Sequence, residues 1–338
     1  MFAYNRLKIG NMLKIGVFGA GHLGKIHISC WKNIHNIELV GFYDTDPENA
    51  KSVTETYGVP YFSDSDKLLA ACDAIDIVTP TLNHHASAMK ALKAGRHVFI
   101  EKPITATMPE AEEILRYSEE NRLKVQIGHV ERFNDAFLEA KKYIDNPLFI
   151  ECHRLAEFNP RGTDVSVVLD LMIHDIDILL HTVHSPIRQI SASGVAVITD
   201  TPDIANARIE FENGCTANLT ASRMSIKKMR RARFFQKNAY ITVDYQNKEA
   251  NIIRMRDYTP EDDKELMPLI LDLGANRGKK RIFIEKPNEI HVNAIETELS
   301  MFADSIIHNH ECEVSVYDGY KALEVAYQIM DKFRTMPA

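Results

Sequence analysis

The sequence predicts an α/β protein of two domains, in which a doubly wound parallel sheet precedes a domain with antiparallel strands. Between Lys14 and about His129, short apolar runs alternate with helical segments, the pattern of strands buried on both faces and joined by crossover helices. After about residue 147, apolar residues recur with a period of two, which is typical of a sheet covered on one face. A length of 338 residues accommodates two domains at about 150 residues each.

The first domain is predicted at 12–130. Its candidate strands lie at 14–18, 38–43, 74–78, 97–100 and 124–127. Residues 1–11 are interpreted as an N-terminal extension, because Leu7-Lys-Ile-Gly10 is nearly repeated by Leu13-Lys-Ile-Gly16.

The second domain is predicted at 131–338. Its clearest element is a hairpin, because Ile209 and Phe211 alternate with polar residues before the turn, and Cys215 and Ala217 do so after it. A three-residue turn at 212–214, with Gly214 left-handed, pairs Phe211 with Cys215 and keeps apolar residues on one face. Two helices, at about 292–307 and 317–333, are predicted to end the chain.

Charge and cysteine content exclude several classes of protein. The net charge is −7, so no general basic field exists to bind nucleic acid or an anionic membrane. No apolar run approaches the roughly 18 residues of a membrane span, and the start of the chain lacks the apolar core of a signal peptide. Five widely separated cysteines without a Cys-x-x-Cys pair suit a reducing compartment, and we expect a cytoplasmic protein.

A glycine-rich turn follows the first predicted strand and leads into a helix. Its Gly19-x-Gly21-x-x-Gly24 spacing is typical of a dinucleotide-binding turn of the Rossmann type, with His22 and Leu23 in the first helical turn. There the helix N-terminus supplies N–H groups to the phosphates. The alternative is an ordinary strand-to-helix turn.

Asp44 supports the dinucleotide interpretation. It ends the second predicted strand 20 positions after Gly24, the separation expected for a carboxylate that binds the ribose hydroxyls. Asp46 follows closely, and no Arg or Lys is adjacent to receive a 2′-phosphate. The sequence therefore favours NAD over NADP as cofactor.

Further motifs resemble those of the Gfo/Idh/MocA oxidoreductases, a family named for glucose–fructose oxidoreductase and inositol dehydrogenase. The matching segments are Thr79-Pro80, His84, Gly95-Arg-His-Val-Phe-Ile-Glu101-Lys102-Pro103 and Asp170-Leu-Met-Ile-His174-Asp-Ile-Asp177. The resemblance implies a Rossmann domain and a second α/β domain with an open, largely antiparallel sheet, with substrate held between the domains. It also places Thr79, Pro80, His84, Glu101 and Lys102 beside the cofactor. His84 alternatively caps the following helix, and the sequence leaves the isomer of the Lys102–Pro103 bond open.

A closer resemblance is carried by Gly128-His-Val-Glu-Arg132-Phe-Asn134 and by the segment Asn159-Pro-Arg161-Gly-Thr-Asp164-Val-Ser-Val-Val-Leu-Asp170. These look like the UDP-N-acetylglucosamine 3-dehydrogenases, which oxidise a sugar-nucleotide hydroxyl to a ketone for a partner aminotransferase. The resemblance implies that Arg132, Asn134 and Arg161 bind substrate. Dehydrogenation of a free sugar or inositol, and a non-catalytic NAD-dependent regulator, are the alternatives.

The proposed reaction needs a base for the hydroxyl proton and positive charge near the developing alkoxide. The resemblance makes His174 the base, Lys102 the partner of the reacting hydroxyl and Asp170 a residue that orients substrate or tunes His174. Asp170 and His174 are four residues apart and so share a helix face. A metal site on this face is the alternative, but ligands along one helix do not converge, and we predict no metal.

The acidic chain must neutralise a substrate diphosphate locally, and the candidates are Arg132, Arg154 and Arg161. The basic run at 227–233 is interpreted as a solvated face. An open sheet face left bare would be a large apolar patch, so we expect a homodimer or homotetramer.

Overall fold

The computed structural model describes residues 12–159, 165–264, 267–274, 277–287 and 292–333. The chain forms two compact units. The first unit contains the described residues up to Val130 together with Asn293–Glu324, and the second contains Glu131–Val292 and the described residues from Val325 onward. In the described part of the chain, no helix is long and apolar enough to cross a membrane.

The first unit is built on a parallel sheet with strand order β2-β1-β3-β4-β5. Its strands are β1 (Leu13–Phe18), β2 (Ile37–Tyr43), β3 (Ala74–Ile77), β4 (His97–Glu101) and β5 (Val125–Gly128). Its helices are α1 (His22–Trp31), α2 (Pro47–Tyr57), α3 (Ser65–Ala71), α4 (His84–Lys93), α5 (Met108–Asn121) and α8 (Ala294–Ile307), with the first part of α9 (Val316–Phe333). Each predicted strand lies within one residue of its observed bounds. The doubly wound parallel sheet is confirmed.

One domain assignment needs correction. We predicted that everything after residue 130 belongs to the second domain, yet Asn293–Glu324 is part of the first unit. The reason is the apolar face of α8, on which Leu299 and Phe302 are fully buried in one core with Trp31 and Phe99. The Phe99 and Phe302 rings meet edge to face, with their centroids 5.8 Å apart.

The second unit is built on a larger sheet with strand order β13-β14-β12-β11-β10-β6-β9-β8-β7. Strands β6 and β9 run parallel, and the other neighbours run antiparallel. Its strands are β6 (Phe149–Leu155), β7 (Ile187–Val195), β8 (Ile204–Phe211), β9 (Thr216–Ser222), β10 (Met229–Gln236), β11 (Ala239–Asp244), β12 (Glu249–Asp257), β13 (Ile270–Asp272) and β14 (Lys279–Glu285). Its helices are α6 (Asp135–Ala140) and α7 (Ile173–Thr182), to which the last part of α9 is added. The predicted, largely antiparallel sheet is confirmed.

The β8–β9 hairpin has the predicted turn. Ile209 pairs with Ala217, and the Phe211 N–H donates to the Cys215 carbonyl at 2.9 Å. Gly214 has φ +87°, the left-handed conformation that the three-residue turn requires.

One face of the second sheet packs against α6 and α7. The opposite face carries an apolar row that crosses five neighbouring strands, one residue from each. We call this the outer row, and its members are Phe149, Phe235, Tyr240, Ile253 and Ile284. Phe235 and Ile253 are each 36% exposed and Ile284 is 59% exposed. The predicted solvation of the basic run at 227–233 also holds, since Arg231 pairs with Asp244 at the surface.

Candidate active site

The glycine turn is formed where β1 meets α1. Gly19 has φ +92°, and a Cβ there would lie 2.7 Å from the Val78 carbonyl oxygen. A Cβ on Gly24 would collide with the Gly19 carbonyl. Both positions therefore require glycine because of contacts within the protein itself, whether or not a ligand is bound.

Gly21 differs, because a Cβ there would point into open space, with no atom within 4 Å. Gly21 precedes α1, whose N-terminus is not capped by a side chain. This helix end therefore offers N–H groups and a positive dipole to an anionic ligand. The geometry fits the pyrophosphate of a dinucleotide.

A cavity of about 170 Å³ opens beside the turn, at the carboxyl ends of the first three strands. Its lining residues are Phe18, Tyr43, Ser65, Thr79, Ala86, Ser87 and Lys90. Ligands of open α/β sheets bind at this edge. Thr79, one of the predicted cofactor residues, is part of this lining. Lys90 was missed by the sequence reasoning, but its ammonium is already paired with Asp66 at 2.9 Å.

Asp44 is fixed at the end of β2 by backbone donors. The Ala20 N–H donates to Oδ2 at 2.7 Å, and the Asp46 N–H donates to Oδ1 at 2.8 Å. The Asn49 side-chain amide also donates to Oδ2, at 3.4 Å. A carboxylate has about four acceptor sites, so one remains for a ribose hydroxyl. Its negative charge stands beside the glycine turn, as expected for a site that selects NAD over NADP.

Replacing Gly21 by Ala is expected to weaken NAD binding about tenfold or more, since the added methyl enters the space that the cofactor needs. The melting temperature should stay within about 2 °C of the wild type, because the methyl meets no protein atom. Titration calorimetry with NAD and a thermal melt give the two values. Gly24→Ala is the control, which should lower the melting temperature itself. Unchanged NAD affinity in Gly21→Ala would contradict this assignment.

Lys102 follows β4, and the Lys102–Pro103 peptide bond is cis. His84 is buried against this segment, with Nδ1 2.9 Å from the Pro103 carbonyl oxygen and Nε2 2.8 Å from that of Thr79. It joins two backbone segments and is 1% exposed, so it neither caps α4 nor reaches a ligand. The prediction that His84 binds the cofactor is therefore corrected, and burial lowers the pKa of this imidazole.

Asp170 and His174 lie in one continuous helical segment of the second unit. A π-helical turn at Val168–Met172 contains Asp170 and runs directly into α7, which contains His174. Both side chains are half-buried, whereas Asp175 and Asp177 are buried. Wide helical turns of this kind are frequent at functional sites. In the described residues, no group of three or more His, Cys, Asp or Glu is arranged to hold a metal ion.

The structure corrects two predicted substrate ligands. The Arg132 guanidinium is 3% exposed and donates to both oxygens of Asp177, at 2.8 and 2.6 Å. Asn134 caps α6 through the Ala136 N–H and donates to the Tyr245 carbonyl at 3.0 Å. Both residues support the framework. Arg161 and Asp164 lie outside the described residues.

Arg154 is also buried, within a charge network that the sequence reasoning missed. Its guanidinium contacts Asp175 at 2.9 Å and Glu131 at 2.7 Å, and all three side chains are at most 7% exposed. Burial raises the pKa of Asp175, an effect that the Arg154 charge opposes. Arg154 thus neutralises internal carboxylates, and it is removed from the candidates for the substrate diphosphate.

Family models match both units. Residues 13–129 match the model described as "Oxidoreductase family, NAD-binding Rossmann fold", and residues 140–242 match the GFO/IDH/MocA C-terminal domain. Fold and glycine turn thus define an NAD-binding oxidoreductase. More particularly, the chain belongs to the Gfo/Idh/MocA family, as its motifs predicted.

Individual relatives narrow the comparison. The UDP-N-acetylglucosamine 3-dehydrogenase of Acidithiobacillus ferrooxidans is 36% identical over 87% of this chain and 92% of its own. Its solved structure superposes with a TM-score of 0.84, covering 95% of this chain and 98% of that one, at 32% identity. A Lactobacillus casei scyllo-inositol dehydrogenase with bound NAD(H) and scyllo-inositol has a TM-score of 0.75 over 96% and 97% of the chains. At 22% identity it shares the fold.

Proposed function

We propose that this protein is an NAD-dependent dehydrogenase that oxidises the C3 hydroxyl of a UDP-linked N-acetylhexosamine, UDP-N-acetylglucosamine in particular. The observation that carries the proposal is the 36% identity to the Acidithiobacillus enzyme across 87% of the chain. The chain also retains Lys102, Asp170 and His174, a set with the chemistry for proton transfer at an alcohol. A non-catalytic regulator would have no need of that set.

His174, Lys102 and Asp170 have different roles in the proposed reaction. NAD, when bound, supplies the hydride acceptor. His174 accepts the proton of the reacting hydroxyl, since imidazole titrates near neutral pH. The Lys102 ammonium donates a hydrogen bond to the same oxygen and stabilises its developing negative charge. Asp170, four residues before His174, orients substrate or the imidazole.

Cofactor binding rests on the first unit. Gly19, Gly21 and Gly24 shape the turn, His22 and Leu23 begin the helix, and Asp44 receives the ribose. Thr79, Pro80 and Glu101 complete the proposed cofactor set at the ends of β3 and β4. With Arg132 and Arg154 buried in ion pairs, Arg161 is the remaining proposed ligand for the substrate diphosphate.

The test is a coupled assay. Enzyme, NAD and UDP-N-acetylglucosamine are incubated with a sugar-nucleotide aminotransferase and glutamate, which pull the ketone forward, and NADH absorbance is followed. We expect NADH and an aminated product. Parallel reactions contain free N-acetylglucosamine, myo-inositol and scyllo-inositol, and thermal shift with UDP alone reports nucleotide binding. Turnover of an inositol without a response to UDP would replace the proposal by a polyol dehydrogenase.

We further propose that the chain forms a homodimer or homotetramer through the outer row of the second sheet. The Phe235 ring contacts the rings on both neighbouring strands, with centroids 5.8 Å apart for Phe149 and Phe235, and 4.8 Å for Phe235 and Tyr240. A row of this size left in water would be an exposed apolar patch.

Phe235→Glu places a charge in the middle of that row and is expected to shift the protein toward monomer, measured by light scattering with size exclusion. Val195→Glu, on exposed β7, is the control that should leave the oligomer unchanged. A wild-type protein that is already monomeric would contradict the proposal.

A cytoplasmic location and a partner aminotransferase complete the proposal. All five cysteines are buried thiols, with none in a disulfide, which suits a reducing compartment. Cell fractionation with an antibody to the chain would test the location.

A further inference from the structure

His27, on α1, is fully buried between two carboxylates of the sheet. Its Nδ1 lies 2.9 Å from Asp76 Oδ2, and its Nε2 lies 3.2 Å from Glu101 Oε1. Asp76 is fully buried in the middle of β3, and Glu101 is the last residue of β4. Two strands and the helix after the glycine turn therefore meet at one imidazole.

The two carboxylates favour a positively charged ring, with Nδ1 hydrogen-bonded to Asp76 and Nε2 at ion-pair distance from Glu101. A neutral imidazole carries one N–H, so one of its nitrogens would face a carboxylate oxygen lone pair to lone pair. Only the imidazolium offers a proton to both carboxylates. Burial by itself lowers the pKa of His27, but Asp76 and Glu101 outweigh it and raise that pKa well above its ordinary value.

Other groups complete the surroundings of this cluster. Trp31 Nε1 donates to the same Asp76 Oδ2 at 2.8 Å, and the Phe99 ring meets His27 edge-on at 5.8 Å. The Cys30 thiol lies on the same helix, and the Lys102 ammonium and the His84 imidazole also neighbour Glu101. Burial raises the pKa of Glu101, yet His27 and these neighbours hold it below its ordinary value, so the carboxylate stays ionised.

Glu101 in turn holds the backbone of the next residue, Lys102. Its Oε2 accepts the backbone N–H of Lys102 at 3.2 Å. Gly128 on β5 packs closely against the same carboxylate, since a Cβ added to this glycine would lie 2.8 Å from Glu101 Oε1. The carboxylate is thus held by a cation, by a backbone donor and by close packing.

We propose that His27 is a positioning residue, whose imidazolium holds Glu101 and thereby fixes the main chain from which Lys102 projects. One buried charge then connects helix α1, beside the glycine turn, to the proposed catalytic lysine. The inference rests on the proposed function, in that Lys102 acts on substrate. The competing interpretation is a purely structural cluster, in which His27 and Trp31 both only stabilise the fold through Asp76.

Matched variants separate the two interpretations. Both His27→Gln and Trp31→Phe remove a donor to Asp76 and should lower the melting temperature. Only His27→Gln releases Glu101, so we expect its kcat to fall about 20-fold or more, with the NAD Kd within about threefold of the wild type. Trp31→Phe should keep kcat within about twofold. Equal kcat losses in the two variants, or a wild-type kcat in His27→Gln, would overturn the proposal.

Asp76→Asn gives a second measurement that does not depend on folding of the His27 variant. With one carboxylate lost, the pKa of His27 falls toward its ordinary value near 6.5. The kcat of this variant, divided by that of the wild type at the same pH, should then decline between about pH 6.5 and 8.5 and recover on returning to lower pH. A ratio independent of pH would contradict a role for the imidazolium.

A third measurement needs no substrate, so it separates failure of this inference from failure of the proposed function. Histidine ¹⁵N shifts should show His27 doubly protonated at pH 7.5, assigned by the signal lost in His27→Gln. The Lys102 amide signal should move in His27→Gln and stay in place in Trp31→Phe. A neutral His27 or a stationary Lys102 amide overturns the inference, even where the coupled assay succeeds. Absent turnover with both signals as expected overturns only the proposed substrate.

Discussion

Replacing His174 by Ala is expected to lower kcat by about 10²–10⁴-fold, the size of a general-base contribution. Lys102→Ala should cause a loss of similar size, because the developing alkoxide then lacks its cation. Neither change touches the glycine turn or Asp44, so the NAD Kd should remain within about threefold of the wild type. Stopped assays of ketone formation and calorimetric titration with NAD provide the two measurements.

His184→Ala is the matched control, since His184 is exposed just beyond the end of α7. It should keep full activity. A double variant Lys102→Ala, His174→Ala that still turns substrate over would refute the assignment of the catalytic residues.

The largest effect on stability is expected for Arg154→Met. Loss of the guanidinium leaves Asp175 buried without its paired cation and leaves Glu131 with only the more distant Arg230, at 3.9 Å. Such losses cost about 3–5 kcal/mol of unfolding free energy. Urea unfolding at pH 7.5 measures this cost. Arg231→Met on the neighbouring strand is the control, because its pair with Asp244 is half in solvent and contributes at most about 1 kcal/mol.

The deficit of Arg154→Met should also depend on pH. Burial raises the pKa of Asp175 and the Arg154 charge opposes that rise, so loss of the guanidinium moves this folded-state pKa further above the unfolded value. The folded protein then binds more protons than the unfolded chain. Stability then falls as pH rises, and the deficit against the wild type shrinks between about pH 7.5 and 5. A deficit below about 1 kcal/mol at pH 7.5 would show that the network carries little stability.

Much of the fold could be predicted because the local signals agree with the final packing. Continuous apolar runs predicted the strands of the first sheet. On either side of Gly214, the alternation of apolar and polar residues predicted a three-residue turn, which the structure confirms. The position of α8 could not be predicted in this way. Its apolar stripe shows that one face of the helix is buried, but it does not specify which of the two sheets covers that face.

The candidate site likewise contains residues that could be identified from the sequence and residues that could not. Gly19, Gly24 and Asp44 were identifiable because their roles depend on backbone geometry close in sequence. Arg132 and Arg154 were misjudged, since an arginine paired internally and one that awaits a phosphate are alike in sequence. Asp76 did leave a signal, as a charged residue inside a strand buried on both faces requires a buried partner. That partner, His27, lies 49 positions away and was apparent only in the folded chain.

The position of α8 also bears on how the protein is made. Residues 131–292 are synthesised between the β5 end of the first unit and the helix that covers Trp31 and Phe99. At about 5–20 residues per second, the ribosome takes roughly 8–30 s to deliver them. For that interval the emerging first unit presents an unfinished apolar surface, which makes it a natural client for a chaperone. It also means that 12–130 expressed alone would retain the same exposed surface and would be prone to aggregate.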